Sequence, residues 1–193
     1  MRITGGSLRS RALKAPRGQA TRPTTDRVRE ALFGILTSAG VVEGARVLDL
    51  YAGTGALALE ALSRGAESAF LVESAREALA ALRANVISLG LEDRARVVAG
   101  DVAHALRRVP EEEAFDLVFA DPPWALVDAG TPAAVLSDLA LHGRIATEGR
   151  VVLEHSARTQ PPDIDGLVRL DSRRYGDTAL TFYKPAILGA LRQ

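Results

Sequence analysis

Cysteine is missing from the 193-residue chain, which excludes disulfides and thiolate-bound metal. Net charge is missing too, with 24 basic residues against 24 acids. A uniformly basic surface for a polyanionic partner is therefore excluded. The longest apolar runs fall far short of a membrane span and carry charges nearby, and no secretory pattern of basic, apolar and small residues opens the chain. The expectation is a cytoplasmic protein without membrane attachment. Internal repeats, linkers and low-complexity tracts are also lacking. The three histidines, His104, His142 and His155, have no metal-ligand spacing, so no metal is expected.

What is present is unevenly distributed. Between Met1 and Arg29 stand eight basic residues (Arg2, Arg9, Arg11, Lys14, Arg17, Arg22, Arg27 and Arg29) and one acid, Asp26. A neutral chain with one basic end suggests a local electrostatic footprint. Residues 2–4 and 11–14 suit two short strands around a glycine-containing turn. Thr24, Thr25 and Asp26 offer caps before Val28, Ala31, Leu32, Ile35 and Leu36, which share one helix face. From Ala45 the pattern becomes strand–helix alternation. Strands are expected at 46–51, 69–73, 95–99, 115–120 and 150–154, with helices at 56–64, 75–89 and near 133–142. Short apolar strands alternating with helices predict a mostly parallel sheet covered on both faces. Residues 167–172 and 179–183, flanking Tyr175-Gly176-Asp177, predict a closing antiparallel hairpin. The expected organisation is a basic hairpin extension over 1–22 and an α/β, Rossmann-like domain over 23–193.

In such a sheet ligands bind beyond the carboxyl ends of the strands. Four expected strand ends carry acids: Asp49, Glu73, Asp101 and Asp121. Turns favour Asp by themselves, but four in succession at one edge point to a site. The turn Asp49-Leu50-Tyr51-Ala52-Gly53-Thr54-Gly55 also satisfies the dinucleotide fingerprint through Gly53-x-Gly55-x-x-Ala58. A carboxylate four residues ahead of Gly53 would repel a pyrophosphate on the helix N-terminus. It suits a cofactor bearing an ammonium and a sulfonium. Glu73 can accept from both ribose hydroxyls and Asp101 from an adenine amine, with the Val102 backbone against the ring; each acid also suits a helix cap. Ala52, Gly53, Thr54, Gly55 and Ser74 complete the expected cofactor set.

Asp121-Pro122-Pro123-Trp124 is rigid and cannot continue a sheet, because two prolines fix φ and forfeit donors. It offers carbonyls, a carboxylate and an indole face. An exocyclic base amine, whose lone pair is delocalised, needs acceptors that draw it toward tetrahedral geometry. Trp124 can stack on a base taken out of its helix. A buried tryptophan after a loop-starting Asp-Pro is the bland alternative.

These motifs resemble amino-methyltransferases of nucleic acids. Arg2-Ile3-Thr4-Gly5-Gly6, Arg22-Pro23-Thr24-Thr25-Asp26-Arg27-Val28-Arg29-Glu30, Leu48–Leu57 and Glu60-Ala61-Leu62-Ser63-Arg64-Gly65-Ala66 resemble the bacterial RsmD family, from Arg2 to about Lys184. The resemblance implies a seven-stranded class I methyltransferase sheet with an antiparallel last strand. It implies S-adenosylmethionine as methyl donor and a guanine N2 in 16S ribosomal RNA as acceptor, within an assembling small subunit, by a monomer. Trp124 stands where many relatives carry Phe or Tyr, and all three stack. The implied RNA contacts are Arg2, Arg9, Arg11, Lys14 and Arg22, which would make binding salt-dependent. Thr25 or Asp26 could close over the methionine end of the cofactor; a capped helix start with solvated arginines is the equal alternative. The competing functions are methylation of another base amine such as adenine N6, a nicotinamide-dependent oxidoreductase, and a non-catalytic RNA-binding protein.

Overall fold

A computed structural model describes residues 1–16, 26–110 and 113–186. Helix α1 (Asp26–Ser38) leads into β1 (Arg46–Asp49), α2 (Ala56–Ser63), β2 (Ser68–Glu73), α3 (Arg76–Leu89) and β3 (Ala95–Ala99). There follow α4 (Val102–Leu106), β4 (Phe115–Ala120), α5 (Trp124–Asp128), α6 (Thr131–Leu141), β5 (Ile145–Ser156), β6 (Leu167–Tyr175) and β7 (Thr178–Pro185). The seven strands form one sheet in the order β3-β2-β1-β4-β5-β7-β6. Strands β1 to β5 run parallel, and β7 inserts antiparallel between β5 and β6. This is the Rossmann-like methyltransferase architecture expected above. The order reverses between β1 and β4, which opens a crevice beyond their carboxyl ends.

Core strands are apolar on both faces because helices cover both. Leu117 and Phe119 of β4 pack with α1 to α3, whereas Val118 and Ala120 pack on the opposite side with α4 and α6. Burying such a side chain contributes roughly 1.5–3 kcal/mol. Helix α1 buries Leu32, Phe33 and Leu36, and one turn earlier Arg29. Leu32 and Leu36 of the expected face are buried, with Val28 and Ile35 packed partly against the core; Phe33 and Arg29 widen the buried stripe, and Arg29 is not a solvated arginine.

Four local expectations change. The two N-terminal strands reduce to one antiparallel bridge, Arg2 to Ala12. Ladder donors there are taken by α2: Thr4 and Gly5 N–H donate to Glu60 (2.8 Å each) and Leu8 N–H to Ser63 Oγ (2.9 Å). Helices α4 and α5, five residues each, are too short to show a period in sequence. Strand β5 extends to Ile145–Ser156 because it starts through the polar stretch before Arg150, with a register shift opposite β4 between Phe115 and Leu117. The edge strand β6 exposes residues 168–174, with a second irregularity between Arg169 and Asp171.

Candidate active site

The crevice at the strand reversal has a volume of about 680 Å³. One wall is the turn after β1. Ala52 N–H donates to Val72 O (2.9 Å) and Gly55 N–H to Ala52 O (2.7 Å), so the turn folds tightly onto β2. Gly53 (φ +55°) lines the crevice, and a Cβ there would meet no protein atom within 4 Å. Gly55 differs. At φ +84° it precedes α2 with its missing side chain aimed at Leu82 Cδ1 (2.5 Å) and Leu59 Cδ1 (2.9 Å). Its glycine serves helix packing, not the clearance of a cofactor, and it does not line the crevice. Thr54 lines the crevice while its carbonyl accepts from Asn85 Nδ2 (2.9 Å).

Asp49 lies on the floor, 1 % exposed. Its Oδ2 accepts from Ala58 N–H at 3.4 Å, and Oδ1 has no hydrogen-bond partner among the described residues. Burial pushes its carboxyl up to about 7, opposed by the Ala58 amide and reinforced by the nearby Glu73 carboxylate. A buried acid with an open oxygen is suited to a cationic ligand group, whose arrival would restore ionisation. It is unsuited to a pyrophosphate. The crevice therefore fits the ammonium-bearing half of an adenosylmethionine better than a dinucleotide.

Glu73 ends β2 with both oxygens engaged. Oε2 accepts from Gly53 N–H (2.8 Å), and Oε1 accepts from Ser74 and Ala75 N–H (2.7 and 2.6 Å). It fastens the glycine turn to the start of α3 and lines the crevice beside Ser74. Asp101 caps α4, accepting from His104 N–H (3.1 Å) and bonding the His104 ring at 2.6 Å. The His104 amide and ring hold its carboxyl below the usual range. Val102 lines the crevice next to it.

The opposite wall is Asp121-Pro122-Pro123-Trp124. Pro122 is buried, Pro123 exposed, and Asp121 and Trp124 are partly exposed. The Pro123 carbonyl accepts from Leu126 N–H (2.8 Å), so α5 begins at Trp124 and fixes the indole at the crevice rather than in the core.

The remaining expected residues are placed differently. Asp26 is not among the residues lining the crevice. Its carboxylate pairs with Arg29 Nη2 (3.0 Å) and lies 3.9 Å from Arg2 Nε, which supports the start of α1. Thr25 and Arg22 fall outside the described residues. Arg2, Arg9, Arg11 and Lys14 are exposed, with Arg11 Nη2 donating to Ser88 O (2.7 Å). The segment that carries them is stitched to the body through Glu60 and Asn85, which bonds Lys14 N–H and O (2.7 and 3.1 Å).

Two groups of crevice residues escaped the sequence reading. Met1 and Pro16 form part of the wall, and no local pattern marks them. Glu154 also lines the crevice at 7 % exposure. Its signal was available, since it is a fifth acid at the end of an expected strand.

The family described as Conserved hypothetical protein 95 matches residues 1–184. Ribosomal RNA small subunit methyltransferase D of Escherichia coli (strain K12) is 37% identical over 164 residues, 85% of this chain and 79% of that protein. The protein YlbH of Bacillus subtilis (strain 168), provisionally named an rRNA methyltransferase, is 35% identical over 95% of this chain and 98% of its own. Among solved structures, the Escherichia coli protein yhhF, provisionally named a methyltransferase, superposes with a TM-score of 0.80 at 34% identity, covering 96% of this chain and 97% of that one. With the sheet order that the resemblance implied and a family match spanning nearly all of its length, the chain belongs to the RsmD family.

Proposed function

We propose that this chain is a ribosomal RNA methyltransferase that methylates the N2 amine of a guanine in the small-subunit RNA, with S-adenosylmethionine as donor. The observation that carries the reading is the pairing of two unlike walls. A buried carboxylate with an open oxygen, Asp49, faces a rigid acceptor ledge, Asp121-Pro122-Pro123-Trp124, across one crevice. The name of the Escherichia coli relative, ribosomal RNA small subunit methyltransferase D, supports small-subunit RNA as the substrate.

S-adenosylmethionine, when bound, supplies an electrophilic methyl carbon on a sulfonium. Asp49 would hold its ammonium, Glu73 its ribose hydroxyls, and Asp101 with the Val102 backbone its adenine. Gly53 leaves room for close approach. Trp124 would stack on the unstacked guanine. Asp121 accepts one N2–H and the Pro122 carbonyl the other, because the Pro123 carbonyl is engaged by α5. As N2 gains positive character its proton becomes acidic, and Asp121 is placed to receive it. Holding amine and donor in one geometry contributes much of the rate. Residues 1–22 are read as the extension that meets RNA phosphates, through Arg2, Arg9, Arg11, Lys14 and Arg22.

The test is mass mapping of methyl groups in small-subunit particles incubated with the protein and labelled S-adenosylmethionine. One N2-methylguanine is expected, reduced roughly 10²–10³-fold in rate by Asp121→Ala. Methyl on an adenine or cytosine amine, or full turnover in Asp121→Ala, would refute the reading.

A further inference from the structure

Asp-Pro-Pro-Trp grips an amine, and adenine, cytosine and guanine all carry one. What separates guanine is the neighbouring ring nitrogen. Guanine N1 bears a hydrogen beside N2, whereas adenine N1 and cytosine N3 present lone pairs beside their amines. A site for guanine N2 therefore gains selectivity from a second acceptor next to the one that holds the amine.

Strands β4 and β5 supply such a neighbour. They pair in parallel with Ala120 opposite Leu153, so Asp121 and Glu154 are the next residues along neighbouring strand paths, with strands about 4.8 Å apart. Both line the crevice. Glu154 is 7 % exposed, and its backbone is fixed on the other flank by β7, where it faces Leu180. Asp121, by contrast, leaves the sheet into the proline ledge. One carboxylate is held by the sheet and the other by the ledge.

We infer that Glu154 is the residue that selects guanine, accepting the N1–H while Asp121 and Pro122 take the amine. This inference rests on the guanine-N2 reading above. A carboxylate oxygen opposite the lone pair of adenine N1 or cytosine N3 sets acceptor against acceptor, so those bases lose the contact.

The test uses 2-aminopurine, which keeps the N2 amine but has no hydrogen on N1. Small-subunit particles are reconstituted with guanine or 2-aminopurine at the position located by methyl mapping. The wild-type protein should favour guanine by about tenfold or more in kcat/KM, the range of a charge-assisted hydrogen bond. Glu154→Gln, whose carboxamide can either accept or donate, should bring the two substrates within about threefold of each other. Its affinity for S-adenosylmethionine should stay at the wild-type value. An unchanged preference in Glu154→Gln overturns the inference and leaves the guanine-N2 reading standing. Absence of N2-methylguanine from the wild-type reaction removes both. Should Glu154→Gln not fold, the wild-type ratio decides: a value near one overturns the inference, and tenfold or more supports it.

Discussion

Two buried carboxylates, Glu60 under the N-terminal segment and Asp49 on the crevice floor, share a burial and differ in company. Glu60 is fully covered. Its Oε1 accepts from Thr4 Oγ1 (2.7 Å), Gly5 N–H (2.8 Å) and Arg64 Nε (2.8 Å), and its Oε2 from Thr4 N–H (2.8 Å) and Arg29 Nε (3.3 Å). Asp49 has only backbone amides nearby, Ala58 at 3.4 Å and a weaker Tyr51, and no ion-pair partner among the described residues. A buried charge with saturated oxygens is a fastener. One with an open oxygen is costly to ionise, and that cost is recovered when a cation arrives.

The largest expected effect lies on the Glu60 side. Glu60→Ala removes the buried partner of the covered Arg29 guanidinium, leaving it only the half-exposed Asp26, and such removals cost about 3–5 kcal/mol. For a chain of this size the Tm should fall roughly 6–20 °C, read by calorimetry. A fall below about 1 kcal/mol would show that the two carboxylates are not different in kind.

Asp49→Asn should do the reverse. Without ligand at pH 8 its Tm should equal or exceed the wild-type value, because an unfavourable buried charge is gone. Its affinity for S-adenosylmethionine should drop roughly 10- to 100-fold, measured by titration calorimetry. Unchanged affinity would remove Asp49 from the ligand site.

The glycines of the turn divide along the same line. Gly55→Ala puts a methyl group against Leu82 and Leu59 at positive φ and should cost about 1–3 kcal/mol of stability. Gly53→Ala meets no protein atom and should cost about 1 kcal/mol or less in stability beyond its φ strain, with the remaining loss seen in cofactor affinity. Equal losses of stability at both positions would blur the distinction.

The smallest effect is a pH dependence. Asp49 has its folded-state carboxyl raised from 3.8 to about 7. Its contribution to ligand-free stability is complete below the unfolded carboxyl's range and is lost as pH rises through about 7. Binding of a cation needs the ionised form, so S-adenosylmethionine affinity should rise about tenfold between pH 6 and 8. In Asp49→Asn this rise should vanish. A wild-type profile as flat as the variant's would sink the assignment.

Much of this was legible in sequence where the physics is local. Apolar runs such as Phe115–Ala120 and the glycine turn specify their own geometry, and Asp-Pro-Pro-Trp cannot be anything but a rigid strand exit. What stayed hidden depends on partners distant along the chain. Arg29 reads as one more surface arginine until Glu60, 31 residues away, is brought beneath it. Thr4 and Gly5 look like strand residues until α2 takes their amides. Asp26 reads as a ligand-facing acid until Arg29 and Arg2 claim it. Glu154 resembles any strand-ending acid until the β4–β5 register sets it beside Asp121.

The outer margin of the sheet bears on how the molecule survives at high concentration. An unpaired strand is a template onto which a second copy can add, and Val168 and Leu170 of β6 are exposed enough to encourage it. The break in register between Arg169 and Asp171 bends that margin, and Arg169, Asp171, Arg173 and Arg174 stand along it, exposed. Self-templated growth would have to flatten the bend and crowd like charges together, so this flank is guarded against fibre formation while the crevice stays open.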